Sequence, residues 1–166
     1  GSRLHRKIQK RMGSGYRAEV PLKFQYPCDC FMLQIEGRAD GIMEEADGIV
    51  IDEIKGVMRD LDHITGPVGV HLAQAKCYAF FYGTQTALEE IGVQMTYCNL
   101  DTEEIKRFRE TYSVGELKKW FEELVHAYEK WARYQIEGKE LRNNSSRRTE
   151  FPFPYREGQR ELVSSV

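Results

Sequence analysis

Residues 31–55 read FMLQIEGRADGIMEEADGIVIDEIK. Two apolar runs, 31–43 and 49–55, flank the polar stretch Glu44-Glu45-Ala46-Asp47-Gly48. Asp-Gly between two such runs is a hairpin signal, because glycine accepts the positive φ that a tight turn needs. The second run, IVIDEIK, is β-branched and bounded by Gly48 and Gly56, which predicts a short central strand. Strand side chains alternate faces, so Ile49, Ile51, Glu53 and Lys55 share one side and Val50, Asp52 and Ile54 the other. Glu53 and Lys55 then stand about 7 Å apart on one face. The hairpin brings Asp40 of the first run alongside them. Two carboxylates and an ammonium on one sheet face suit a hard cation that keeps positions for water and phosphate. Asp52 points the other way and is set aside as a ligand.

Outward from the hairpin, Leu4, Ile8 and Met12 recur at helical spacing among basic residues, and Gly13-Ser14-Gly15 ends that short helix. Residues 18–26 have strand composition, with Pro21 favouring a sheet edge. After Gly66-Pro67, Leu72, Ala75, Ala79 and Tyr82 predict a helix over 69–83. Residues 92–100 alternate as a strand. Residues 105–112 are ambiguous: Ile105, Phe108 and Tyr112 suit a helix, but the segment is short. Ser113 and Glu116 form a capping box, and Val114, Leu117, Phe121, Leu124, Tyr128 and Trp131 carry a helix to about Gly138. Trp120 and Trp131 are read as core. Residues 139–150, KELRNNSSRRTE, read as a polar linker, and 151–166 open a new apolar pattern, the start of a further module.

The chain has 166 residues and a net charge of −2. That length fits one domain able to bury a core without disulfides. The composition is that of a soluble globular protein, and no uncharged apolar run approaches the ~18 residues of a membrane span. No membrane partner is expected. The charge is segregated: residues 1–20 carry +5, residues 21–100 carry −7, and residues 101–166 balance. The four cysteines (Cys28, Cys30, Cys77, Cys98) lack C-x-x-C spacing, and read as thiols in a reducing cytoplasm rather than a zinc or redox module.

Asp40 followed by Glu53-x-Lys55 resembles the PD-(D/E)XK nuclease motif, with Ala39 in place of its proline. Gln74-Ala-Lys-Cys-Tyr78 resembles the Q-x-x-x-Y helical motif that follows the core in the RecB-like exonuclease branch. Gly1-Ser-Arg-Leu-His5 resembles the G-x-x-x-H motif that precedes it. The resemblance covers residues 1–140. It implies an α/β fold, a restriction-endonuclease-like mixed central β-sheet flanked by α-helices. It also implies a divalent-metal-dependent deoxyribonuclease, acting as an exonuclease. By the same resemblance, Asp40, Glu53, His5 and the backbone carbonyl of Ile54 hold Mg²⁺ or Mn²⁺. Lys55 contacts phosphate and the attacking water, and Gln74 and Tyr78 position substrate or Lys55. Arg3, Lys7, Lys10 and Arg11 offer charge to the DNA backbone. No cysteine follows Cys98, so no iron–sulfur cluster is expected.

Phe151-Pro-Phe-Pro-Tyr-Arg-Glu-Gly-Gln159 resembles the opening of XPD/DinG-type superfamily 2 DNA helicases, where the glutamine recognises adenine. This implies fusion of a nuclease domain (1–140), through a linker (141–150), to a helicase module that starts at 151–166, in DNA repair or recombination. The rival reading is a catalytically silent nuclease-fold module that holds DNA or a partner for a helicase.

Overall fold

The computed structural model describes residues 2–29, 31–148 and 153–164. Gly1 of the first motif, Cys30, and the Phe151-Pro152 opening of the tail lie outside the described residues. Elements follow the order α1 (Ser2–Gln9), β1 (Tyr16–Pro27), β2 (Met32–Glu45), β3 (Gly48–Val57), a single 3₁₀ turn (Leu61–His63), α2 (Gly69–Gln85), β4 (Glu90–Asn99), β5 (Ile105–Ser113), α3 (Val114–Arg148) and α4 (Gln159–Ser164). Two compact units divide the chain, Gly1–Val125 and His126–Val166.

The five strands form one sheet in the order β1-β2-β3-β4-β5. β1–β2, β2–β3 and β4–β5 pair antiparallel, and β3–β4 pair parallel across the α2 crossover. This is the mixed, helix-flanked α/β sheet that the sequence predicts. Gly48, at φ +139°, closes the β2–β3 turn as its position after Asp47 requires.

Helix α2 presents Ala75, Ala79, Phe80 and Phe81 to the sheet, and α3 adds Leu117, Phe121 and Val125. Phe24 of β1 stacks on Phe81 at 4.6 Å, and Phe121 meets both Phe81 and Phe80. Such aromatic contacts add about 0.5–1.5 kcal/mol each to the area they bury. A second, smaller cluster of Ile8, Ile54 and Cys98, with Leu4 and Ile105 against it, holds α1 to the sheet.

Two pairing features decide the site. The β2–β3 ladder has five rungs, from Glu45↔Gly48 to Gly41↔Asp52. Past that last rung, β2 stays with β1 and β3 with β4, so the sheet forks at Asp40 and Glu53. The pleat also changes phase there. Leu33, Ile35 and Ala39 pack into the same core as Ile42, so the alternation along β2 slips by one between Ala39 and Ile42. β1 slips in step: Val20, Leu22 and Phe24 join that core, whereas Arg17 reaches the Tyr82 hydroxyl of α2. Glu19, between them, has φ +55°.

Two sequence expectations are corrected and one ambiguous segment is resolved. Residues 105–112, ambiguous in the sequence, are strand β5. Helix α3 does not stop near Gly138 but runs through the polar stretch to Arg148. Its buried stripe is Leu117, Phe121 and Val125, while Leu124 and Trp131 are exposed. Trp120, read as core, packs half-buried against the core, and its ring carries the Lys76 ammonium at 4.5 Å.

Candidate functional site at the sheet fork

Glu53 and Lys55 leave β3 on the face that α2 covers, as strand alternation requires. Lys55 Nζ donates to Glu53 Oε1 at 2.7 Å and to Gln74 Oε1 at 3.1 Å. Gln74 Nε2 in turn donates to the Tyr78 hydroxyl at 3.3 Å, one turn along α2. Tyr78 lies so close to β2 that a Cβ on Gly37 would stand 2.6 Å from its hydroxyl. The predicted Glu53–Lys55–Gln74–Tyr78 group is thus a connected hydrogen-bonded run.

Asp40 enters from the other arm of the fork. Its Oδ2 accepts the Ile54 backbone N–H at 2.8 Å, and its Oδ1 lies 3.2 Å from His5 Nδ1. The carboxylate therefore fills the role that a sixth rung would have played, satisfying a backbone donor left over where the strands part. In an extended strand, one residue's N–H and C=O lie on the same edge. The Ile54 carbonyl consequently faces the same fork.

Burial pushes the Glu53 carboxyl up to about 7, against the pull of Lys55. The hydrogen bond to Asp40 raises His5 above the usual imidazole range. Glu53 is 2% exposed, and its Oε2 has no hydrogen-bond partner. A buried, unpartnered carboxylate oxygen is energetically costly unless something electropositive meets it. Among the described residues, no three His, Cys, Asp or Glu side chains already converge as a metal cage. The donor set nonetheless fits a cation that takes few protein ligands. It offers Glu53 Oε2, the Asp40 carboxylate, a carbonyl and an imidazole, and Mg²⁺ or Mn²⁺ fills its remaining positions with water or phosphate.

Asp52, on the opposite face, is occupied as the alternation implies. It accepts from Tyr16, Thr96 and Gln94, at 3.1, 2.6 and 3.1 Å. Its partners are a phenol, a hydroxyl and an amide. Burial raises its carboxyl, and those three donors oppose the rise.

Of the four basic residues assigned to DNA, Arg3, Lys10 and Arg11 are exposed, while Lys7 is ion-paired with Glu103 of the β4–β5 loop. His71, on the Gln74–Tyr78 face of α2, lies against Tyr97 and its hydroxyl, which also accepts the Val68 N–H. Three residues that the motifs did not single out stand behind the site. They are Gln9, Glu19 and Gly37; only Gln9 carried a sequence signal, four positions after His5 on one helical face.

The family model of the PD-(D/E)XK nuclease superfamily matches residues 2–147. The chain belongs to this superfamily. In this PD-(D/E)XK domain, the sheet fork, the Glu53-x-Lys55 strand and the α2 crossover all fall within the matched span. The crystal structure of SSO0001 is similar in fold, with a TM-score of 0.52 over 76% of this chain and 19% sequence identity. The match spans 58% of the SSO0001 chain. No curated protein matches the sequence. Members of the superfamily generally use a divalent metal, and the donors at the fork fit one.

Proposed function

We propose that this PD-(D/E)XK domain hydrolyses phosphodiester bonds in DNA with a divalent metal, as an exonuclease, at the fork between Asp40 and Glu53. The observation that carries the reading is the buried Oε2 of Glu53, unpartnered on a carboxylate whose other oxygen holds Lys55. Asp40, Glu53, His5 and the Ile54 carbonyl are assigned as the ligands of Mg²⁺ or Mn²⁺. When bound, the metal lowers the pKa of the attacking water and stabilises charge on the phosphate.

The protein's own groups do the rest. Lys55 holds an ammonium beside the phosphate, where it orients the attacking water and offsets charge on the non-bridging oxygens. Glu53 and Gln74 fix that ammonium from two sides, and Tyr78 holds Gln74. Water gives up a proton to solvent as it forms the new P–O bond, the ester bond to the leaving nucleotide breaks, and the leaving oxygen takes up a proton from solvent. Arg3, Lys10 and Arg11, exposed on and just beyond α1, supply charge for the strand that leads to the fork.

Association with a helicase module, in DNA repair or recombination, is the wider proposal and rests on the tail. There Gln159 accepts the Arg156 N–H at 2.8 Å at the start of α4. A cytoplasmic setting is the accompanying proposal, resting on thiols at Cys77 and Cys98 that a reducing compartment would keep.

The experiment is cleavage of end-labelled single- and double-stranded DNA with Mn²⁺ or Mg²⁺, comparing wild type with Glu53→Ala and Lys55→Ala. Metal-dependent cutting lost in both variants supports the proposal. A wild type as inert as the variants with both metals leaves the silent DNA-holding module as the better reading.

A further inference from the structure

Gln9 follows His5 by one turn of α1 and is 8% exposed. Its Nε2 donates to the Asp40 backbone carbonyl at 2.9 Å and to Glu19 Oε1 at 3.1 Å. Glu19 faces Asp40 across the β1–β2 ladder, between the rungs Ala18↔Gly41 and Val20↔Ala39. It adopts φ +55°, a left-handed conformation that glutamate seldom takes. Its second oxygen, Oε2, meets Arg38 Nε at 3.3 Å.

We propose that Gln9 is the positioning residue of the metal site, and that the left-handed step of β1 at Glu19 sets the acceptor that aims it. The argument rests on direction. Leu4 and Ile8 hold α1 through apolar contact with Ile54 and Cys98, which fixes how close the helix lies but not its rotation. Hydrogen bonds are directional. One amide grips the backbone of Asp40 while standing one turn from His5. The imidazole and the carboxylate are thereby brought to the fork by a single side chain. Glu19 completes the grip because the phase slip at its left-handed residue turns its carboxylate toward α1 rather than along the pleat. Strain kept beside a site, and held by specific partners, commonly serves that site.

The inference rests on the proposed metal site, so its test reads metal binding without DNA. Mn²⁺ affinity is measured by calorimetry and by the electron paramagnetic resonance signal of free Mn²⁺, well below the melting temperature. Removing a partner that orients a ligand weakens metal binding by about 10- to 100-fold. Gln9→Leu and Glu19→Leu are expected to show that loss with unchanged circular dichroism. Glu19→Gln keeps the accepting oxygen and is expected to bind like wild type. Wild-type affinity in Gln9→Leu, or equal losses in Glu19→Gln and Glu19→Leu, overturns the inference. If Gln9→Leu does not fold, the two Glu19 variants decide it. A wild type that binds Mn²⁺ with this dependence yet cuts no DNA refutes the nuclease proposal and leaves the inference standing. A wild type that binds no Mn²⁺ overturns both.

Discussion

Lys55 Nζ sits 2.7 Å from one oxygen of Glu53, and the other oxygen of the same carboxylate is buried with no donor. The two residues are two apart on one strand, so the ion pair is built into the pleat and does not depend on loop geometry. One half of the carboxylate is spent on holding the ammonium, and the other is kept open.

That arrangement should make the site a stability liability when no metal is present. Glu53 moves from an ordinary value of 4.5 to about 7 on folding, a preference for the neutral form worth about 3 kcal/mol. Glu53→Gln should therefore raise the melting temperature of the metal-free protein at pH 8 by several degrees, while nuclease activity falls at least about 100-fold. A melting temperature below that of wild type at pH 8 would mean that the Lys55 pair outweighs desolvation.

The same shifts set a pH dependence. Both Glu53 and His5 have folded values above their unfolded ones. The folded state thus binds more protons than the unfolded chain, and stability declines as pH rises. For Glu53 its contribution is complete below about 4.5 and is lost as pH passes about 7. Metal binds the deprotonated groups, so Mn²⁺ affinity should climb across neutrality and its binding should release protons. Calorimetry in two buffers of different ionisation enthalpy counts them; zero release would contradict the assigned ligands.

Gly37→Ala tests the far end of the Lys55 run. The new Cβ would stand 2.6 Å from the Tyr78 hydroxyl and 2.8 Å from its ring, so the rigid phenol must move. Tyr78 then releases Gln74, and Lys55 loses one of its two acceptors. The expected result is a folded protein with impaired turnover, read as a fall in kcat. Tyr78→Phe, which removes the hydroxyl without a clash, should give a smaller fall in the same direction.

On the opposite face, Gly41→Ala should act on stability. A Cβ there would overlap the Tyr16 hydroxyl, which donates to buried Asp52. Overpacking costs about 1–3 kcal/mol, and loss of a donor to a buried carboxylate a further ~1–3 kcal/mol. Tyr16→Phe should show the second effect alone, so denaturant midpoints should rank wild type, Tyr16→Phe, then Gly41→Ala.

The parts of the fold carried by period were legible in the sequence. The IVIDEIK strand, the Asp47-Gly48 turn and the α2 face could be read because apolar spacing and turn chemistry agree there. The family motifs named the residues that the fork brings together. β5 was hidden because charged residues interrupt its apolar positions: Lys106 precedes Phe108, and exposed Glu110 stands between Phe108 and Tyr112. The Lys106 ammonium stands over the Phe108 ring and donates to the Leu61 carbonyl, so a charged residue occupies a half-buried position and the alternation vanishes. Residues 139–148 have turn-prone composition, but a helix already nucleated by the Ser113–Glu116 box extends through them without a second nucleation step. The phase slip at Glu19 and Asp40 left no trace, since no residue type there demands a left-handed backbone.

The five-rung β2–β3 ladder has a consequence for how this domain tolerates change. A site framed by two diverging strands takes its spacing from the last rung before they part, here Gly41↔Asp52. Sensitivity to mutation should therefore not fall off evenly with distance from Glu53. It should run down the ladder toward Gly48 and leave the far end of the β1–β2 pair, at Pro27 and Met32, permissive. That end is where a lineage could lengthen, shorten or recombine the arm and reshape what approaches the fork without disturbing the hinge on which it opens.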